Sequence, residues 1–155
     1  MKMVKVLAER IRRKTPPVFA IQYNLTIKEA ATLFNKTSIG AALVEKEIPE
    51  PGVYAGIISE KDIMRCCAEY DDLSKVQVAD VMRREMITAN VNDEVTDIVR
   101  RMRDYHIRHI PLIEDGKIIA LISIRDIMNC IDLAQEIAMS HLNDLFGSTR
   151  HSTSY

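Results

Sequence analysis

Gly56-Ile57-Ile58-Ser59-Glu60-Lys61-Asp62-Ile63-Met64 returns later in the chain as Ala120-Leu121-Ile122-Ser123-Ile124-Arg125-Asp126-Ile127-Met128. Each copy is an apolar run, then Ser-x-x-Asp with a cation just before the Asp, then a new apolar pattern. A strand therefore turns directly into a helix at the serine. A duplicated corner that carries a hydroxyl, a cation and a carboxylate predicts two related binding sites.

Outward from this phrase the repeat continues. An offset of 68 (18 to 86) sets Val18-Phe19-Ala20-Ile21 on Met86-Ile87-Thr88-Ala89, Asn24 on Asn92, Thr26-Ile27 on Glu94-Val95 and Ile39 on Ile107. The offset at the serines is 64 (59 to 123), so the first copy holds four extra residues. They fall in Glu45 to Gly52, where Pro49, Pro51 and Gly52 predict an enlarged hairpin loop. Each copy reads β-α-β-β-α. In the first, a short strand lies near Val18 to Ile21, a helix near Thr26 to Asn35, strands near Ala41 to Val44 and Val53 to Ile58, and a helix from about Ser59 to Glu69. Thr26 and Glu29 have capping-box spacing. In the second copy Val95, Ile98, Val99 and Met102 share one helix face, with Arg100, Arg101 and Arg103 facing mostly solvent.

The resulting fold class is α/β (α+β). Residues 1–15 form an N-terminal helix, 16–70 the first repeat, 71–84 a connector with a helical turn near Val78 to Met82, 85–131 the second repeat, and 132–155 a C-terminal helix ending in a frayed tail. A three-stranded sheet with two helices is too small to bury a core comfortably, so the copies should pack together around a pseudo-twofold axis and share one.

The chain has 155 residues, 47% apolar and 28% charged, with a net charge of −1. That balance gives no general attraction to nucleic acid or acidic membranes. No apolar stretch is long enough to span a bilayer, and the basic amphipathic segment from Met1 to Lys14 lacks a signal peptide's continuous apolar centre. Its Arg10-Ile11-Arg12-Arg13-Lys14 run reads as a solvated helix face. Cys66, Cys67 and Cys130 form no Cys-x-x-Cys pair and are odd in number, so they are expected to be reduced core residues of a cytoplasmic protein. His106-x-x-His109 straddles a helix end and a strand start without the usual spacing of a metal set. No phosphate loop or catalytic dyad is visible.

These residues resemble a tandem pair of cystathionine beta-synthase (CBS) domains, a Bateman module of the stand-alone type. The resemblance rests on Ile39-Gly40-Ala41-Ala42-Leu43-Val44 with Gly56 to Asp62, and on Ile107-Arg108-His109-Ile110-Pro111-Leu112-Ile113 with Ala120 to Asp126. Ala120 replaces the family's usual glycine, a change expected to tighten the approach to a ligand in that half. The resemblance implies a non-enzymatic regulatory module that binds AMP, ADP, ATP or S-adenosylmethionine as ligand, uses no catalytic cofactor, pairs into homodimers and acts on a client protein.

In that setting Asp62 and Asp126 would accept the two hydroxyls of a ribose cis-diol. Ser59 and Ser123, with the free N–H groups of the helices they begin, would hold phosphate. Read without the family, Ser-x-x-Asp is equally a capping box. Following the family, one cleft would combine Ser59, Lys61 and Asp62 with the strand bearing Ile87 and Thr88 and with Arg108, His109, Ile110 and Pro111. The other would combine Ser123, Arg125 and Asp126 with Val18, Ala20, Gly40 and Ala41. On this division only the first cleft owns an Arg-His pair, and it is expected to be the stronger phosphate site. Two further functions stay open: a structural or interaction module whose serines act only as caps, and an enzyme of unrecognised chemistry.

Overall fold

A computed structural model describes residues 3–13 and 18–147, with side chains described for all of these except 12 and 143–147. Lys14, Pro16 and the His151 to Tyr155 tail lie outside the described residues, as do the side chains of Leu145 and Phe146. The chain runs α1 (Met3–Arg12), β1 (Ala20–Ile21), α2 (Ile27–Thr37), β2 (Ala41–Glu50), β3 (Val53–Ser59), α3 (Glu60–Glu69), α4 (Val78–Val81), β4 (Ala89–Asn90), α5 (Val95–Asp104), β5 (His109–Glu114), β6 (Lys117–Ser123) and α6 (Ile124–Gly147).

The duplication is preserved down to hydrogen-bond register. Each repeat forms a three-stranded sheet, β1-β2-β3 or β4-β5-β6, with the short first strand parallel to the second and the third antiparallel to it. Ile21 pairs with Val44 as Ala89 pairs with Leu112, and Ala41 pairs with Ser59 as His109 pairs with Ser123. Local signals explain the helix boundaries. Thr26 caps α2 through a complete capping box with Glu29, and Ser38 closes it in a left-handed conformation (φ 54). His106, the counterpart of Ser38 after α5, is also left-handed (φ 53).

Two buried clusters, rather than one shared core, hold the molecule together. Ile27, Phe34, Val44, Ile58 and Cys66 of the first repeat are completed by Val76, Val78 and Met82 of the connector. Ile98, Met102, Leu112, Ile122 and Cys130 of the second are completed by Val4, Leu7, Ala8 and Ile11 of α1. Each half-size core thus recruits a segment outside its own repeat, which meets the burial need that a common core was expected to meet. The connector is tied down by backbone bonds, including Val78 N–H to the Leu25 carbonyl at 2.8 Å and Ile27 N–H to the Val76 carbonyl at 2.8 Å.

This division explains the Gly56 and Ala120 difference and corrects its reading. A Cβ on Gly56 would stand 2.6 Å from the carbonyl oxygen of Arg83, whose backbone exchanges two hydrogen bonds with Ile57 (2.9 and 3.0 Å). Glycine is needed there because the connector lies on β3. In the second repeat Ala120 is fully buried in the cluster that α1 completes, so its methyl group fills core and touches no cleft.

Three other expectations change. The four extra residues, 46–49, form a bulge in β2 and not an enlarged turn: Glu45 pairs with Tyr54 and Glu50 with Val53, nothing in β3 pairs with the residues between, and the turn sits at Pro51 and Gly52 (φ 78). Cys66 and Cys130 are buried, and burial raises the Cys66 thiol pKa, but Cys67 is exposed. Arg101 is half-buried, donating to the Thr88 carbonyl at 2.9 Å and to Asp93 at 2.7 Å, whereas Arg100 and Arg103 face solvent. Among the described residues no helix is long and apolar enough to cross a membrane.

Candidate functional site

Both Ser-x-x-Asp corners form complete capping boxes. At the first, Ser59 donates to Asp62 Oδ2 from its N–H at 2.9 Å and from Oγ at 2.7 Å, while the Asp62 N–H reaches Ser59 Oγ at 3.4 Å. At the second the same three bonds measure 2.9, 2.6 and 3.1 Å for Ser123 and Asp126. A backbone bond fastens each corner to the start of the neighbouring strand: Glu60 N–H to the Gly40 carbonyl at 3.0 Å, and Ile124 N–H to the Arg108 carbonyl at 2.9 Å. Capping and strand anchoring together aim the serine, the cation and the carboxylate at the space between the repeats.

Two cavities open there. The first, of about 230 Å³, has Ser59, Lys61 and Asp62 on one wall and Met86, Ile87, Arg108, His109 and Pro111 on the other. The second, of about 440 Å³, has Ser123, Arg125 and Asp126 facing Phe19, Ser38 and Ile39. The linings are exchanged by the repeat: Ile57, Ser59, Lys61, Asp62 and Ile87 in the first correspond to Leu121, Ser123, Arg125, Asp126 and Phe19 in the second. Each cavity takes its corner from one repeat and its first strand from the other.

The expected division of the second-strand residues does not hold. Gly40, Ala41, Arg108 and His109 line both cavities. β2 and β5 begin side by side, close enough that a Cβ on Gly40 would lie 2.8 Å from His109 Cε1. Exclusive ownership of the Arg-His pair by one cleft is therefore replaced by a shared central wall. The cavities still differ elsewhere. The first adds Arg83, Glu85, Tyr105 and His106, whereas the second adds Glu60, which stands 3.8 Å from Arg108 Nη2.

Val18, Ala20, Thr88 and Ile110 line neither cavity. Strand alternation accounts for Ile110, which turns into the core while His109 and Pro111 face the cleft. Phe19 and Ile87, just ahead of β1 and β4, line the cavities in place of their neighbours Ala20 and Thr88. Sequence reasoning missed several lining residues, among them Ser38 and Glu60 of the second cavity and Arg83, Glu85, Tyr105 and His106 of the first. The last was singled out only as half of a metal pair, and among the described residues no group of three potential metal ligands is assembled.

Asp62 is only 2% exposed and is held by Ser59, Arg83 and Arg65. Its Oδ2 takes both Ser59 donors, and its Oδ1 accepts from Arg83 Nε at 3.3 Å and lies 3.1 Å from Arg65 Nη2. His109 is held below its ordinary pKa, first by burial and then by the Arg108 charge; Asp126 and Glu60 oppose this, and Arg125 adds to it. The imidazole is consequently biased toward its neutral form, a donor on one nitrogen and an acceptor on the other.

The CBS domain family pattern matches residues 8–69 and again 78–133, most of the chain. This protein belongs to the CBS-domain family. Its two domains make it a CBS pair, and the CBS domain-containing protein YhcV of Bacillus subtilis is 28% identical over 114 residues, covering 73% of this chain and 78% of that one. A match of 30% identity to the homoserine O-acetyltransferase of Methanococcus vannielii covers 73% of this chain but only 23% of that enzyme. Among solved structures, the CBS-domain containing protein ATU1752 from Agrobacterium tumefaciens superposes with a TM-score of 0.73 at 26% identity, covering 82% of this chain and 91% of that one. PAE2072 from Pyrobaculum aerophilum, solved with AMP, gives 0.61 at 28% identity, covering 70% and 82% of the two chains. The CBS domain pair of MJ0100, solved with 5′-methylthioadenosine and S-adenosylmethionine, gives 0.62 at 25%, covering 74% and 91%.

Proposed function

We propose that this CBS pair is a non-enzymatic regulatory module that binds an adenosine nucleotide, AMP, ADP or ATP, between its repeats and reports occupancy to a client protein. The observation that carries this reading is the exchanged lining of the two cavities. In each, a capped carboxylate, a hydroxyl and a cation from one repeat face an apolar residue of the other, Ile87 or Phe19, beside the Arg108–His109 wall that both cavities share. Such a lining matches a ligand with a flat apolar base, a cis-diol and an anionic phosphate. The relatives solved with AMP and with adenosyl compounds support the same ligand class.

The module acts in the cytoplasm as a homodimer. Met64 on α3 and its repeat counterpart Met128 on α6 are 71% and 50% exposed, and Leu133, Ile137 and Leu142 extend an exposed apolar face along α6. Such a face suits a second copy of the chain.

The competing reading is a structural module with unused clefts, favoured by the complete engagement of Asp62. Thermal denaturation with AMP, ADP, ATP and S-adenosylmethionine separates the two. A ligand at a hundred times its Kd adds about 2.7 kcal/mol to native stability. A raised Tm with a phosphorylated nucleotide supports the regulatory reading, and no shift with any of the four at millimolar concentration supports the structural one.

A further inference from the structure

Arg83 lies ahead of β4, within the stretch that matches the second CBS domain, yet it reaches the Asp62 carboxylate of the first repeat in the first cavity. Its backbone is fixed: it exchanges hydrogen bonds of 2.9 and 3.0 Å with Ile57 and lies directly over Gly56. Its side chain is half-exposed, lines the cavity, and donates from Nε to Asp62 Oδ1 at 3.3 Å. The connector therefore presents a half-exposed guanidinium on a fixed backbone.

A carboxylate offers about four acceptor directions, two on each oxygen. At Asp62 both directions of Oδ2 are taken by Ser59, and Oδ1 has Arg83 in one and the Arg65 guanidinium 3.1 Å away. A ribose diol needs two of those directions. The Ser59 contacts are the shortest and belong to the helix cap, while the Arg83 contact is the longest and comes from an exposed side chain of another segment. Arg65 meets Oδ1 as an ion pair and not as a hydrogen bond, so release of Arg83 alone leaves both directions of Oδ1 to the diol, and Arg83 is the donor that yields.

From this we infer that Arg83 is a specificity-determining residue of the first cavity: it leaves Asp62 when the diol arrives and pairs with the ligand's phosphate. The inference rests on the nucleotide-binding reading of the same cavity. Displacing Arg83 costs an ion pair that only an anionic ligand replaces, through a bidentate guanidinium–phosphate contact. The cation also offsets Glu85, which the connector places in the same wall and which would otherwise repel phosphate. A neutral or cationic adenosine compound displaces Arg83 and returns nothing. Among the described residues the second cavity is lined by no connector residue, and there α1 contributes Ile11.

The test is titration calorimetry of the full chain with AMP and with adenosine, for wild type, Arg83→Ala and Arg83→Met. Binding is also measured in the Asp126→Asn background, so that the first cavity is read alone. The exchange predicts opposite changes: AMP weakened about tenfold or more in both variants, and adenosine binding tightened several-fold because its competitor for Asp62 is gone. Opposite changes cannot come from a folding defect, which weakens both ligands. Equal weakening of the two ligands, or no change in either, overturns the role assigned to Arg83 while leaving the nucleotide reading intact. If wild type binds neither AMP nor adenosine, the nucleotide reading fails and this inference falls with it.

Discussion

Gly40 and His109 meet at the centre of the molecule, where a Cβ on the glycine would stand 2.8 Å from Cε1 and 3.2 Å from Nε2 of the imidazole. The contact joins the starts of β2 and β5, and both residues line both cavities. A methyl group at position 40 must push the ring aside. Gly40→Ala is expected to lower nucleotide affinity several-fold while costing about 1–3 kcal/mol of stability. Calorimetry and urea denaturation on the same variant give the two numbers. Unchanged affinity would show that the position of the His109 ring does not matter to binding.

Gly56 and Ala120 are repeat counterparts with different neighbours, so exchanging them is not symmetric. Gly56→Ala places a Cβ 2.6 Å from the Arg83 carbonyl, a backbone atom that cannot step aside. Loss of the Ile57–Arg83 bridge is expected, with a cost of about 1–3 kcal/mol. The connector amides should also exchange faster with solvent. Ala120→Gly loses a buried methyl and gains backbone freedom, at about 1 kcal/mol, with connector exchange unaltered. Urea midpoints and amide exchange distinguish them.

The corners were legible in the sequence because capping is local: Ser59 with Asp62 and Thr26 with Glu29 sit three apart, and that spacing alone predicts the bonds observed. The repeat architecture was legible because apolar periodicity and self-comparison carry it. Arg83 was not, since the offset of 68 sets it on Thr15, which has no charge to mark the position. Tyr105 and His106 were hidden at the end of a helix, although the offset of 68 that sets His106 on Ser38 was an available sign. The sharing of Arg108 and His109 depends on how closely the two sheets approach, a tertiary distance that neither strand encodes by itself. Pro49, Pro51 and Gly52 signalled an enlarged loop; the turn needs only Pro51 and Gly52, and Pro49 sits in the bulge of residues 46–49, where no ladder hydrogen bond to β3 is asked of it.

Ser59→Ala removes the cap of α3 and one donor to a carboxylate that is 2% exposed. Loss of an N-cap hydroxyl costs about 1 kcal/mol. The variant should still fold, with α3 fraying first in amide exchange. A loss of stability with no local change in α3 would place the effect elsewhere.

His109 sets the direction of one pH dependence. Its pKa in the folded protein lies below the ordinary value of 6.5, so between the two values the unfolded chain binds more protons than the folded one. This contribution to stability is present above about pH 6.5 and is lost as pH falls through the folded pKa. His109→Gln should flatten that part of the profile when unfolding free energy is measured from neutral pH downward. An unchanged slope would assign the dependence to other groups.

The central claim is that the capped carboxylates form the two nucleotide sites, and titration calorimetry of AMP into wild type, Asp62→Asn and Asp126→Asn tests it most directly. The account predicts two unequal binding steps in the wild type and the loss of a different step in each variant, with both variants folded by circular dichroism. Nucleotide binding that both substitutions leave untouched would contradict it, and would leave Ser59, Asp62, Ser123 and Asp126 as helix caps alone.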